Sequence, residues 1–260
     1  MTKYDPLEVI RAYTANAEIE DQAEVSHSLR TEIPREFIKR YLQPTDTVLD
    51  AGGGVGVNAL MMAERCKSVT LLDITPRILE LARQRIEASG LQDRIQILQG
   101  DVCQMDAFHD AQFSFVVCVG DALSYVLDQR DKALSELVRV AKRGSYIILG
   151  TDSKFGFLRL RLAQGNLEVA REILRTNQTT CGMGPRTHLY TVSEMRSTLE
   201  RNGCKLLDVA STPSLSDTID VSQYINMQKW EDLKALEMEI CSTPELLGVG
   251  LHLLFVVQKG

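Results

Sequence analysis

Val48-Leu49-Asp50-Ala51-Gly52-Gly53-Gly54-Val55-Gly56-Val57-Asn58-Ala59-Leu60 decides how the rest of the chain is read. A short apolar run ends in an acid, passes through clustered glycines and continues as an apolar-periodic helix. That pattern predicts a strand, a tight turn and a helix whose free N–H groups face whatever lies above the turn. Glycine serves such a turn in two ways: it adopts positive φ, and it lets a ligand approach backbone where a Cβ would collide. The stretch therefore points to a nucleotide-like ligand.

Outward from it, strands and helices alternate. Ser68 to Asp73 reads as a second strand closing on an acid, and Thr75-Pro76 as the start of a helix, with Thr75 as N-cap. Ile95 to Gln99, Phe113 to Val119 and Tyr146 to Gly150 supply three more strands, with a helix from Lys132 to Ala141. Such alternation predicts a doubly wound α/β fold with a parallel sheet and right-handed crossovers. Ligands of these sheets sit beyond the carboxyl ends of the strands, where strand order reverses. Asp50, Asp73, Asp101 and Val119 are thus expected to converge on one crevice.

Before the sheet, Leu7 to Ala17 and Val25 to Leu42 read as two helices, the second with an apolar stripe of Leu29, Ile33, Phe37, Ile38 and Tyr41. After Gly150 the rhythm breaks. Phe155 to Thr176 reads as helical and Asn177 to Thr187 as irregular, and the segment is expected to be a cap over the site. Its basic excess (Lys154, Arg159, Arg161, Arg171, Arg175 and Arg186 against Glu168 and Glu172) suits either a solvated helix face or an anionic acceptor. Thr191 to Asn202 then forms a helix with a Thr191/Glu194 capping box. Lys205 to Ala210 and Gly250 to Val257 follow as strands, with Glu231 to Ile240 helical between them. One domain over residues 1–260 is expected: an N-terminal helical lid (1–44), a cofactor-binding core (45–150), the cap insertion (151–190) and the rest of the sheet (191–260).

Composition narrows the classes. A net charge of −6 counts against a nucleic-acid scanner with a basic face. The six cysteines, Cys66, Cys103, Cys118, Cys181, Cys204 and Cys241, show neither CxxC nor histidines at ligand spacing, so buried thiols and no metal are expected. The polar start with Lys3, Asp5 and Glu8 is unlike a signal peptide, and no apolar run has membrane-spanning length. A soluble, cytoplasmic protein is expected.

Gly54-Val55-Gly56-Val57-Asn58-Ala59 also fits the GxGxxA fingerprint of an NAD(P)-dependent oxidoreductase, with Asp73 as ribose ligand. Against that, Asp50 would set a negative charge beside a pyrophosphate, whereas a cofactor with an ammonium group would welcome it. The second strand-end acid, Asp101, offers an acceptor for an adenine amine. On these residues the chain resembles the class I S-adenosylmethionine-dependent methyltransferase family. The likeness rests on the turn Asp50, Gly52, Gly54 and Gly56, on Asp73 after Leu71-Leu72, on Gly100-Asp101-Val102 and on Cys118-Val119-Gly120-Asp121. It extends to His188-Leu189-Tyr190-Thr191 and Gly203-Cys204-Lys205-Leu206-Leu207. Tyr13 with Ala17 and Glu18, and Pro244 to Gly248 with His252, are similar to a bacterial small-molecule methyltransferase type.

The resemblance implies a Rossmann-like seven-stranded sheet with its last strand antiparallel, N-terminal helices and a helical cap. It implies S-adenosyl-L-methionine as cofactor and methyl transfer to a small-molecule acceptor through an O, N, C or S nucleophile. Cofactor-binding residues would be Asp50, Gly52, Gly53, Gly54, Gly56, Asp73, Ile74, Asp101, Val102 and Val119; Arg30 either reaches the cofactor carboxylate or is solvated on an exposed helical face. Catalytic candidates are Asp121, His188 and Tyr13; substrate candidates are Tyr125 and Tyr190. Asp121 is alternatively an N-cap, Tyr13 a core aromatic and His188 a loop histidine with a structural hydrogen bond, the reading favoured for it, while His252 reads as structural and His27 and His109 as solvated. No Asn/Asp-Pro-Pro-Tyr/Phe run is present, so base amino-methylation of nucleic acid is not expected, and no nucleic-acid or membrane partner is either. A cofactor-binding partner subunit without turnover remains a rival.

Overall fold

The computed structural model describes residues 2–25, 28–180, 182, 184–216, 224 and 226–260. His27 and Cys181 lie outside the described residues. Five parallel strands build the first part of the sheet: β1 (Thr47–Ala51), β2 (Ser68–Asp73), β3 (Ile95–Gln99), β4 (Phe113–Cys118) and β5 (Ala141–Asp152). β6 (Gln178–Thr180) and β7 (Arg186–His188) pair as a separate antiparallel hairpin, where an irregular stretch was expected. β8 (Cys204–Ser211) and β9 (His252–Lys259) complete a seven-stranded sheet of order β3-β2-β1-β4-β5-β9-β8, with β9 antiparallel to both neighbours.

Both faces of the sheet are covered, as the strand sequences dictate. In β1, Val48 joins one buried cluster and Leu49 the other; in β4, Phe115 and Val117 face one side and Val116 and Cys118 the opposite. A period of two with apolar residues on both faces is what burial between two helical layers requires. Strand order reverses between β1 and β4, so the chain leaves these neighbours in opposite directions and opens a crevice above them.

Helix boundaries follow local capping. The N-terminal region holds three helices rather than two: α1 (Pro6–Ala15), α2 (Ala17–Val25) and α3 (Leu29–Tyr41). Asn16 breaks the first run because its side-chain amide donates to the Ala12 carbonyl at 2.8 Å, in competition with the helical ladder. α4 (Val57–Ala63) follows the glycine turn, and α5 (Pro76–Ser89) follows Thr75. The Thr75 hydroxyl makes no cap; Asp73 Oδ1 instead accepts from the Thr75 N–H at 2.8 Å. α6 (Ala122–Tyr125) and α7 (Arg130–Val140) connect β4 to β5.

The expected single helix over 155–176 is two, α8 (Lys154–Ala163) and α9 (Leu167–Thr176), divided at Gly165, whose φ is 71°, with Asn166 capping the second. In α10 (Val192–Arg201) only half the capping box forms. Thr191 accepts from the Glu194 N–H at 3.2 Å, while the Glu194 side chain turns to His188 at 2.7 Å. α11 (Met227–Ile240) is longer than its predicted segment.

Candidate active site

One cavity lies above β1 and β4, and the expected strand-end residues meet there. Gly52, Gly53, Gly54, Asp73, Ile74, Asp101, Val102 and Val119 all line it. The turn leaves no space below: a Cβ on Gly52, whose φ is 69°, would stand 2.6 Å from the Ala122 Cβ. Gly56 does not line the cavity. It begins α4 with φ 82°, and a Cβ there would meet Leu71 at 3.3 Å, so its role is to let the helix pack on the sheet.

Asp50 sits beneath the turn, 1% exposed, and its Oδ2 has no hydrogen-bond partner among the described residues. Burial first, then the nearby Glu24 and Asp73 carboxylates, pushes its carboxyl up to about 7. Asp73 accepts from the Gly54 N–H at 3.2 Å and from the Thr75 N–H. Burial raises its pKa while these bonds oppose the rise. Asp101 accepts from the Cys103 N–H at 2.8 Å and from the Tyr4 hydroxyl at 3.1 Å.

These residues fit S-adenosylmethionine. An orphaned buried carboxylate suits an ammonium group; two further acids on successive strand ends suit a ribose diol and an adenine amine. Arg30, which also lines the cavity, offers a guanidinium to a carboxylate.

The opposite wall comes from the N-terminal helices, β9 and the segment after β4. Tyr13 and Tyr125 line it in an edge-to-face pair, ring centroids 5.7 Å apart. Asp121, in the left-handed region at φ 71°, occupies the N-cap position of α6 without capping it. Its side chain instead meets His252. His252 Nδ1 lies 3.2 Å from Asp121 Oδ1 and 3.4 Å from Asp152 Oδ1. Thr187 and Ser124 complete the support, donating to the Asp152 carboxylate and accepting from its N–H at 2.9 Å, respectively.

Burial opposes charge on His252, yet the two carboxylates raise its pKa to about 9; Asp121 is lowered in return, and Asp152 is raised by burial and by Asp121. One donor atom from each of the three residues falls within a 4.8 Å group, a closeness that the shared imidazolium proton accounts for. Beyond strand ends, no local pattern marks this trio: β9 runs antiparallel to β5, and that register sets His252 opposite Asp152.

The imidazolium's stabilisation has a defined pH window. A folded pKa above the unfolded value of about 6.5 gives a contribution complete below that value and lost as pH rises through about 9. His252→Gln is expected to cost about 2 kcal/mol at pH 7, the scale of charged hydrogen bonds. In denaturant titrations the gap should narrow as pH rises from about 6.5 to about 9 and stay small above that; a constant gap would remove the charge from the account.

Two expected site residues lie elsewhere. His188 is buried with Nε2 on Glu194 and its ring 4.7 Å from that of Tyr190. The Tyr190 hydroxyl donates to the Leu123 carbonyl at 3.2 Å. Neither lines the cavity, because the hairpin and α10 turn both inward beneath α6. Nor does any described side chain from 154–186. Its basic groups are engaged nearby: Arg159 donates to the Val249 carbonyl, Arg161 to Thr180, and Arg186 pairs with Glu172. That removes the ground for an anionic acceptor drawn from this segment. His109 is exposed, and the five described cysteines are free and buried. No described helix is long and apolar enough to cross a membrane.

Residues 48–144 match the family model described as a methyltransferase domain. The tRNA 5-carboxymethoxyuridine methyltransferase of Escherichia coli (strain K12) is 32% identical over 121 residues, 46% of each chain. The malonyl-[acyl-carrier protein] O-methyltransferase of Serratia marcescens is 38% identical over 111 residues, 42% of this chain and 39% of that one. The chain thus spans less than half the length of these curated relatives. In the complex between the Haloferax volcanii Trm112 methyltransferase activator and a methyltransferase, the fold recurs with a TM-score of 0.67. That match has 18% identity and covers 96% of both chains.

Residues 48–144 thus match a methyltransferase domain, and the seven-stranded sheet has the Rossmann-like fold of that solved methyltransferase. The expectation of a small-molecule acceptor and no nucleic-acid partner does not stand, since a tRNA methyltransferase shares this region. Total charge was the wrong guide, because the cofactor-binding half looks alike whatever the acceptor.

Proposed function

We propose that the chain transfers a methyl group from S-adenosylmethionine to a nucleophile admitted beside Tyr13, Tyr125 and Asp121. The observation that carries this reading is the orphaned Asp50 carboxylate, buried under a glycine turn that opens between Asp73 and Asp101. Asp50 would hold the cofactor's ammonium, Arg30 its carboxylate, Asp73 the ribose hydroxyls and Asp101 the adenine amine, with Ile74 and Val102 against the ring. The bound cofactor supplies an electrophilic sulfonium methyl. The protein's task is then alignment and exclusion of water, and alignment is worth several kcal/mol, about 7–11 in the best intramolecular cases. A base is needed only where the acceptor arrives protonated.

Calorimetry with S-adenosylhomocysteine and with NADH tests the cofactor. Tight binding of NADH alone would transfer the site to hydride chemistry. Asp73→Ala should weaken S-adenosylhomocysteine binding by about 1–3 kcal/mol, the cost of losing a charged hydrogen-bond partner; unchanged affinity would take Asp73 out of the site. Cell extract incubated with methyl-labelled cofactor, then divided into tRNA, protein and metabolite fractions, identifies the acceptor's carrier. Label in no fraction, with the cofactor bound, would favour a binding subunit without turnover.

A further inference from the structure

The acceptor half of the cavity has a charge pattern of its own. Glu20, Glu24, Asp73, Asp101 and Asp121 line the cavity against two cationic groups, Arg30 and His252, with Asp50 and Asp152 buried behind them. Most of these acids are accounted for. Asp73 and Asp101 hold backbone N–H groups, Asp121 and Asp152 share His252, and Glu24 lies 3.6 Å from Arg35. Asp50 and Arg30 answer to the two ends of the cofactor's amino-acid part under the reading above.

Glu20 is left over. Its side chain makes no hydrogen bond or ion pair among the described residues, and Arg30 acts on it through its charge alone. Burial first, then Glu24, raises its carboxyl to about 7, with Asp121 and Asp73 adding to the rise. Glu20 lines the same cavity as Asp73 on the cofactor side and Asp121 on the acceptor side. Tyr13 and Tyr125 form the adjoining wall.

From this arrangement we infer that the acceptor is an aliphatic amine, received as its ammonium ion by Glu20 in the cavity that the Tyr13–Tyr125 pair also lines. Aromatic faces attract a cation, and a carboxylate held in a partly desolvated cavity attracts it more strongly than one in water. An anionic acceptor would meet Glu20, Glu24 and Asp121, and among the described residues lining the cavity the cations Arg30 and His252 are already assigned. Glu20 also has a chemical task. An ammonium nitrogen has no lone pair, so before attack its proton must leave; the Glu20 carboxylate takes it, becoming a neutral acid, and the amine nitrogen regains its electron pair. A carboxyl poised near neutral pH suits that exchange.

The inference rests on the proposed function, and its test separates the two. The full chain, saturated with S-adenosylhomocysteine, is titrated with benzylammonium, benzyl alcohol and benzoate, which share a ring and differ in charge. Chemical-shift perturbation reads the binding. Benzylammonium should bind about tenfold or more tightly than either partner, and Glu20→Gln should remove about tenfold of its affinity with S-adenosylhomocysteine binding kept. If S-adenosylhomocysteine does not bind, the proposed function falls first. If it binds and benzoate or the alcohol matches the ammonium, if none of the three binds, or if Glu20→Gln keeps the preference, the amine assignment is overturned.

Discussion

Gly52→Val is expected to abolish measurable S-adenosylhomocysteine binding, about a thousandfold loss or more, and to destabilise the fold by about 3–5 kcal/mol. Two effects add at this position. The backbone is at φ 69°, where a β-branched residue is strained, and the first side-chain carbon alone would come within 2.6 Å of the Ala122 Cβ. To relieve that contact α6 must move away from β1, which widens the crevice between the two strand ends. Gly54→Ala separates ligand binding from folding. A Cβ at Gly54, φ 55°, meets no atom within 4 Å, so the fold pays only the conformational strain, about 1 kcal/mol. Gly54 still lines the cavity, and an added methyl there should weaken S-adenosylhomocysteine binding about tenfold or more, measured by calorimetry. If Gly54→Ala binds as the parent does, the turn is a packing device and no ligand approaches it.

How far the sequence could be read follows from what each element's signal depends on. The sheet was legible because β1, β4 and the strand-end acids carry local patterns: an apolar run, an acid, then glycine or a cap. The antiparallel place of β9 came with the family resemblance, since no local pattern distinguishes that strand from a parallel one. His252 was invisible as a site residue because its partners, Asp121 and Asp152, lie 131 and 100 positions away in the chain, and only the β5–β9 register joins them. Tyr190, and the catalytic reading of His188, misled for the opposite reason. Their sequence context, before a Thr191 cap, reads as a loop near the crevice, whereas the hairpin buries both rings against each other. The acceptor's carrier was not legible at all, since strand ends that hold a cofactor carry no record of what approaches it. The N-terminal helices were half legible: Tyr13 does reach the cavity, but Glu20 has no pattern that sets it apart from any solvated helical acid.

Asp50→Asn is expected to make the protein more stable and to remove most of its cofactor affinity. In the unfolded chain this carboxyl titrates near 3.9, as free aspartates do, and in the folded protein near 7. Between those values the folded state holds the proton and the unfolded state does not, so stability falls as pH rises from about 4 to about 7 and stays low above it. The ionised, 1% exposed carboxylate therefore costs the free protein up to about 4 kcal/mol at pH 8. Asn has nearly the same shape and no charge, and its buried amide returns part of the gain, which leaves about 2 kcal/mol. The midpoint of thermal unfolding should thus rise in the variant at pH 8, and the difference should shrink as pH falls toward 4. Cofactor binding runs the other way. An ammonium placed against Asp50 repays the carboxylate's burial and finds only an amide in the variant, so S-adenosylhomocysteine affinity should drop about a hundredfold. A variant that gains stability at pH 8 and loses affinity would tie the strain of the free site to its ligand. Unchanged stability would mean that Asp50 is protonated or solvated at that pH, and unchanged affinity would mean that the ammonium is held elsewhere.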